Sequence, residues 1–345
     1  VTGVQTCALP ILAYPVTMIQ PELRDPFGRK IDYLRLSVTD RCDLRCVYCM
    51  PQGFDDYEAP DDWLTIDEIE RVVRIFGQLG VSRIRLTGGE PLVRKGITEI
   101  TQRLSRLEGI DDLSLSTNCV SMAKFAQPLK DAGVSRINVS LDSLNPEKFR
   151  KITGGKLSKV LDGLMAAKEV GFAPIKINAV AMKGVNDDEL GDMVEFCIEH
   201  GFTLRFIETM PVGDTGCRAK DSHYLDLEVI RKQLEERFEL IPSVMAGGGP
   251  ARYFKVKNTD LHFGFITPIS QHFCETCNRI RLSSDGTLYM CLGQEEKFEL
   301  RPLLRGGASD DELIDAIHYA LTLKPERHEF NDDKQVVRFM NMTGG

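Results

Sequence analysis

The chain has 345 residues, 42% of them hydrophobic and 27% charged, with a net charge of −8 from 43 basic and 51 acidic side chains. Such a balance describes a globular chain able to bury a large core, and it excludes a general binder of nucleic acid or of anionic membrane surfaces. No stretch approaches the ~20 apolar residues of a membrane-spanning helix. Length alone sets a prior of roughly two domains, or one barrel of about 250 residues with an appendage.

Residues 1–17, VTGVQTCALPILAYPVT, are apolar but lack a positively charged start and are broken by Pro10 and Pro15, so they do not read as a signal peptide. They read as a non-native leader, with Met18 as the native start and Cys7 set aside with the leader. Ten cysteines without a secretory signal point to a reducing, cytoplasmic setting, where clustered thiols bind metal more often than they pair.

From residue 31 to about 240, strand patterns alternate with helical ones. Short runs rich in β-branched residues recur at 33–40, 82–88, 112–118, 136–142, 174–182 and 203–208. Between them, IDEIERVVRIFGQLG, ITEITQRLSRLEG and VLDGLMAAKEVG carry apolar residues at helical spacing. Gly80, Gly133, Gly171 and Gly201 stand where each preceding helix should stop. Six such units predict an α/β fold with a parallel sheet, short of the eight of a complete barrel. The expected fold is therefore a partial (β/α)6 TIM-type barrel over 18–245, with a doubly wound sheet as the alternative. From 246 to 345 the pattern becomes α+β. GGGP at 247–250 is a joint, ARYFKVKN and LHFGFIT are hairpin strands, and RIRLSSDGTLYMCL carries an Asp-Gly turn signal before a helix around DDELIDAIHYAL.

Six cysteines form two sets of three: Cys42, Cys46 and Cys49, then Cys274, Cys277 and Cys291. A closed structural zinc site or a saturated iron–sulfur cluster takes four protein ligands, so each triplet leaves one metal position open. The first triplet directly follows the first strand, at the edge where barrel enzymes build active sites. Zinc with a distant fourth ligand remains an alternative there, although every histidine lies at position 200 or beyond. For the second triplet the alternative is a Cys₃His zinc ribbon using His272. Arg279 and Arg281, two residues apart on one strand face, suit phosphate or purine recognition. Arg35, Arg83, Arg85, Lys176 and Arg205 interrupt other strands, and cations inside a parallel strand are costly unless they face an anion or a polar cavity. A lumen holding a polyanion such as a triphosphate explains them together.

The Cys-x₃-Cys-x₂-Cys loop resembles that of the radical S-adenosylmethionine (SAM) superfamily. The resemblance implies a 4Fe-4S cluster whose open iron chelates SAM, and reductive cleavage of SAM to a 5′-deoxyadenosyl radical. It assigns Tyr48, Gly89 in TGGEP, Ser140 and Met210 to SAM contacts. YLRLSVTDRCDLRCVYCMP, RIRLTGGEPLVR, FCETCNRIRL with Cys291, and the terminal Gly344-Gly345 narrow it to the GTP 3′,8-cyclase family, over residues 22–345. Membership implies a second 4Fe-4S cluster that binds guanine, and GTP held by Arg35, Arg85, Ser116, Lys176, Arg279 and Arg281, with Arg205 and Arg83 as further candidates. It also implies removal of the ribose 3′ hydrogen, bonding of C3′ to C8, and a place at the first step of molybdenum cofactor biosynthesis. The partners it implies are an electron donor and a downstream cyclic pyranopterin monophosphate synthase, and it accommodates a homodimer. The family's Gly-Gly end reaches into the active site. Cys119 departs from the family, standing where glycine is usual; Cys197 and Cys217 read as structural.

Overall fold

All six expected strands form in the computed structural model, which describes residues 22–245, 249–332 and 336–344: β1 Tyr33–Ser37, β2 Arg83–Thr87, β3 Asp112–Thr117, β4 Arg136–Ser140, β5 Ile175–Val180 and β6 Thr203–Ile207. The leader, Met18 and Gly345 lie outside the described residues. The helices that follow or join these strands are α1 Ile66–Gln78, α2 Ile97–Leu104, α3 Met122–Asp131, α4 Pro146–Thr153, α5 Leu157–Glu169 and α6 Leu190–His200. Beyond β6 come α7 Gly213–His223, α8 Leu227–Arg237, β7 Leu240–Ser243, β8 Arg252–Val256 and β9 His262–Ile266. The chain then forms β10 Arg279–Leu282, β11 Thr287–Tyr289, β12 Lys297–Glu299, α9 Arg301–Arg305, α10 Asp310–Thr322 and α11 Met340–Thr343. Among the described residues no helix is long and apolar enough to cross a membrane.

The strands make one open sheet in the order β12-β11-β10-β1-β2-β3-β4-β5-β6-β9-β8-β7. Its parallel run is eight strands rather than the expected six. β10 joins β1 in parallel at one edge, with Tyr33 opposite Arg279, and β9 joins β6 in parallel at the other. Both added strands come from the C-terminal part, so the residues after 245 extend the same sheet at both edges. The expected hairpins are present as the antiparallel pairs β8–β9 and β10–β11.

Strand side chains alternate between faces, and here the two faces differ sharply in chemistry. Leu34, Leu36, Ile84, Leu86, Leu115, Ile137, Ile177, Leu204 and Phe206 are fully buried in the main apolar core with Ile75 and Phe76 of α1. The intervening positions 33, 35, 83, 85, 136, 176 and 205 line a cavity on the concave side. α1 starts at a capping box in which the Thr65 side chain accepts from Glu68 N and the Glu68 carboxylate accepts from Thr65 N, worth about 1 kcal/mol. Its apolar stripe then seats the helix on the outer face of the sheet.

Candidate active site

The first triplet occupies the loop leaving β1, at the C-terminal ends of the strands. Arg45 N donates to Thr153 O at 2.8 Å and Val47 N to Ile152 O at 2.9 Å, stitching the loop to the end of α4. Cys46 O accepts from Cys49 N, closing a turn that brings the sulfurs round. Cys42, Cys46 and Cys49 line one cavity with Tyr48, Gly88, Gly89, Ser116, Ser140 and Met210. Burial first, then neighbouring negative charge, pushes the Cys42 and Cys49 thiols up to about 12 and raises Cys46 as well. Three half-buried thiols on one cavity, each hindering the ionisation of the others, fit a site where a metal supplies the charge that stabilises thiolates. Tyr48 is tethered through its hydroxyl, which donates to Asp142 Oδ2 at 2.8 Å.

The glycines of the TGGEP turn line this cavity and also meet a packing requirement. A Cβ at Gly88, where φ is +142°, would lie 2.2 Å from Thr39 O, and one at Gly89 would lie 2.2 Å from Arg41 O. Both glycines therefore let the turn pack against the backbone that enters the cysteine loop, with Gly89 N donating to Thr39 O and Glu90 N to Arg41 O. Glu90 is buried, and its carboxylate accepts from Leu92 N, Thr117 Oγ1 and Asn118 N. Asn118 in turn donates to Asp43 Oδ1 at 2.6 Å and approaches Cys42 Sγ at 3.8 Å.

The second triplet lies towards the opposite ends of the strands. Cys277 precedes Arg279, which is level with Tyr33 at the start of β1. The β10–β11 pair, with Arg281 opposite Tyr289, folds Cys291 back towards it. All three cysteines line the concave cavity. Lys324 is buried beneath them, its Nζ donating to Met290 O at 2.7 Å and Arg279 O at 3.0 Å and lying 3.7 Å from Cys277 Sγ. Burial opposes ionisation of Cys277, but Lys324 and Arg279 outweigh it and bring the thiol down to about 7. In the metal-free chain, alkylation of Cys277 by iodoacetamide should therefore rise with pH through about 7. Alkylation of Cys42 and Cys49 should stay slow until about 12. Lys324→Met should move the Cys277 midpoint upward in the same peptide-mass measurement. A further donor set shares this corner: ligand atoms of His272, Cys274 and His328 lie within 4.8 Å of one another.

Between the two triplets the cavity wall is cationic. Arg85, Lys176, Arg205, Arg279 and Arg281 are each no more than 8% exposed. Strand register places Arg281, Arg35 and Arg85 side by side on β10, β1 and β2. The Nε donors of Arg35, Arg85, Arg205, Arg279 and Arg281 are buried without an acceptor. Burial, and then repulsion from Arg279, brings Arg281 down to about 10; burial brings Lys176 to about 8. Arg205 gives one N–H to Asn138 Oδ1, but buried Nε–H donors left without an acceptor suit a pocket for an oxyanion. Arg83 and Arg136 also line the cavity but are ion-paired, with Asp32 at 3.5 Å and with Asp112. Ser116 does not join the arginines; it opens on the first-triplet cavity. Asn178, Ile207 and Met210 line both cavities, so the two adjoin.

The segment 336–344 straps the two ends together. Buried Arg338 donates to Cys291 O, Leu292 O and Gln294 O at 2.7–2.8 Å, pairs with Glu295 at 2.9 Å and lies over the Tyr289 ring. Three residues on, Asn341 donates to Asp40 O at 2.8 Å beside the first loop. Gly344, at φ +66°, leaves no room for a Cβ, which would sit 2.2 Å from Thr87 Oγ1.

Comparison with known proteins bears on this arrangement. A curated GTP 3′,8-cyclase of Hydrogenovibrio crunogenus is 48% identical over 324 residues, which cover 93% of this chain and 98% of that one. One of Paracoccus denitrificans is 46% identical over 346 residues, covering 98% and 100%. The chain belongs to the GTP 3′,8-cyclase family. Consistent with that family, the Radical SAM superfamily model matches residues 36–197, and the Molybdenum Cofactor Synthesis C model matches 202–330. Radical SAM membership brings with it a 4Fe-4S cluster and SAM. Crystal structures of Streptococcus suis SuiB, one bound to its precursor peptide SuiA and one to S-adenosylmethionine, share the fold at 17% and 18% identity. Their TM-scores are 0.59 and 0.57; the matches cover 90% of this chain in both cases, and 74% and 76% of SuiB. The structure places the first cysteine set on one cavity, and the second set with the strand cations on an adjoining one. Arg136 was not singled out from the sequence, although it carries the same signal as Arg83, a cation opening an apolar strand. Sequence reasoning also missed Lys324, Glu90, Asn118 and Arg338, which carried no such signal. Cys119 takes φ +67° fully buried, so the turn that usually uses glycine is kept by a strained cysteine. Cys197 is buried in the core and Cys217 is half-buried outside both cavities, in keeping with structural roles.

Proposed function

We propose that the chain converts GTP to (8S)-3′,8-cyclo-7,8-dihydroguanosine 5′-triphosphate by radical SAM chemistry, the first step of molybdenum cofactor biosynthesis. One observation carries this reading: two open three-thiol sites in adjoining cavities, with the Nε–H donors of five strand arginines buried there without a protein acceptor. In this reading Cys42, Cys46 and Cys49 hold one 4Fe-4S cluster, with SAM contacts from Tyr48, Gly89, Ser140 and Met210. Cys274, Cys277 and Cys291 hold a second. When bound, the first cluster supplies the electron that cleaves SAM and so initiates hydrogen abstraction. Arg35, Arg85, Lys176, Arg279 and Arg281 neutralise the triphosphate and fix the ribose towards the neighbouring cavity. Ser116 contributes its hydroxyl from that neighbouring cavity. Met210, Ile207 and Asn178 form the boundary across which the two substrates meet, and the strand walls on the concave face limit water at the reacting carbon. A cytoplasmic location, an external electron donor, a homodimer and a cyclic pyranopterin monophosphate synthase consuming the product complete the reading.

Anaerobic incubation of the iron-reconstituted chain with GTP, SAM and dithionite tests it, with cyclised nucleotide and 5′-deoxyadenosine expected. Deoxyadenosine without any change in GTP would sink the substrate assignment. Two clusters of this kind give about eight iron and eight sulfide per chain. The His272–Cys274–His328 set favours one other reading, a zinc site. Stoichiometric zinc, with only about four iron after anaerobic reconstitution, would support it over the second cluster.

A further inference from the structure

The first cysteine loop separates two surfaces. Its inner side faces the lumen, which substrates fill. Its outer side presents Val47, between Cys46 and Cys49, with 39% of its surface exposed. Beside Val47 runs a groove bordered by Lys148 and Lys151 of α4, Val185, and Arg218 and His223 of α7. No carboxylate lines it. Lys148 is paired with Asp188 and reaches Glu189 at 3.7 Å, but among the described residues Lys151 and Arg218 make no ion pair. On a chain of net charge −8, a groove with two exposed cations free of ion pairs and an apolar floor runs against the overall field.

We infer that this groove docks a small acidic one-electron carrier protein, which reduces the site at Cys42, Cys46 and Cys49 through the loop around Val47. The inference rests on the radical SAM reading, because that chemistry consumes an electron at this triplet. The step balances simply: the reduced carrier gives up one electron and the cluster gains it, with no proton transferred and no bond made. Charge complementarity fits the partner. An acidic face would be attracted to Lys151 and Arg218 and repelled by most of the remaining surface, so the carrier is steered to the groove beside Val47. The groove's opening onto Val47 rather than onto the lumen lets the carrier bind while GTP and SAM stay enclosed.

The test uses the two-cluster chain and a reduced acidic flavodoxin as probe, following cluster bleaching by stopped-flow absorbance and electron paramagnetic resonance. For the parent, the reduction rate should fall steeply with added salt. Lys151→Glu with Arg218→Glu should slow reduction by flavodoxin about tenfold or more at low salt and flatten the salt dependence. Reduction by dithionite should be unchanged, and Lys151→Gln with Arg218→Gln should give an intermediate rate. Unchanged flavodoxin kinetics in the charge-reversed chain would overturn the docking face while leaving the radical SAM reading intact. Equal slowing with dithionite would also overturn it, since the defect would then lie in the cluster. A parent that neither reductant bleaches would overturn both.

Discussion

An Arg281→Met chain is expected to melt at a higher temperature than the parent while binding GTP about ten- to a hundredfold more weakly. The two signs come from one cause. Arg281 is 5% exposed, flanked by Arg35 across the sheet and Arg279 along the strand, and no carboxylate pairs with it among the described residues. A buried charge without a counter-ion is held at a cost, and replacement by an apolar side chain of similar length relieves about 1–3 kcal/mol of it. With a triphosphate present the same guanidinium contributes charge-assisted hydrogen bonds worth about 1.5–3 kcal/mol, which methionine cannot make. SAM cleavage without GTP turnover should persist, because Arg281 lines only the cavity of the second triplet. Calorimetric melting beside GTP titration checks the pair of signs. A variant that lost GTP through misfolding would melt lower, and that result would remove Arg281 from the substrate role.

Gly88→Ala should act at the other end and in the opposite sense. The added methyl would lie 2.2 Å from Thr39 O and 3.2 Å from Thr39 N, both main-chain atoms that no rotamer change can clear. The backbone at φ +142° is itself unfavourable for alanine. Together these cost about 3–5 kcal/mol, enough to part the TGGEP turn from the loop that carries the first cysteines. Iron per chain is expected to fall to about four, with SAM binding lost and GTP binding retained. Iron retained at about eight with normal SAM binding would show that the turn does not support the cysteine loop.

The parts legible in the sequence were those with local periodicity or fixed spacing. Six strands showed through β-branched runs, and the lumen cations through a two-residue alternation that breaks an apolar strand, as in Arg35 and Arg85. The triplets showed through their count. What stayed hidden depends on contacts between distant parts of the chain. Lys324 reads in LTLKPERH as a solvated cation at a helix end, and only the return of the chain after α10 places it under Cys277. Arg338 looks like part of a frayed tail until its three carbonyl acceptors are seen. The parallel pairing of β9 and β10 with opposite edges of the first six strands has no local signature either. The glycines of TGGEP were legible as a requirement but not as to its cause, since nothing in the sequence says that Thr39 and Arg41 lie against them.

The way β9 and β10 clasp the sheet has a consequence for inheritance. Each supplies a whole row of main-chain partners to a strand, β6 or β1, that would otherwise be a bare edge open to pairing with another chain. Cutting away the last hundred residues would thus yield a sticky fragment rather than a smaller working enzyme. Exchanging them for another lineage's terminus would need two registers to match at once. The end of the molecule that carries the second cysteine triplet and the end that carries the first are bound to change together, as one heritable unit.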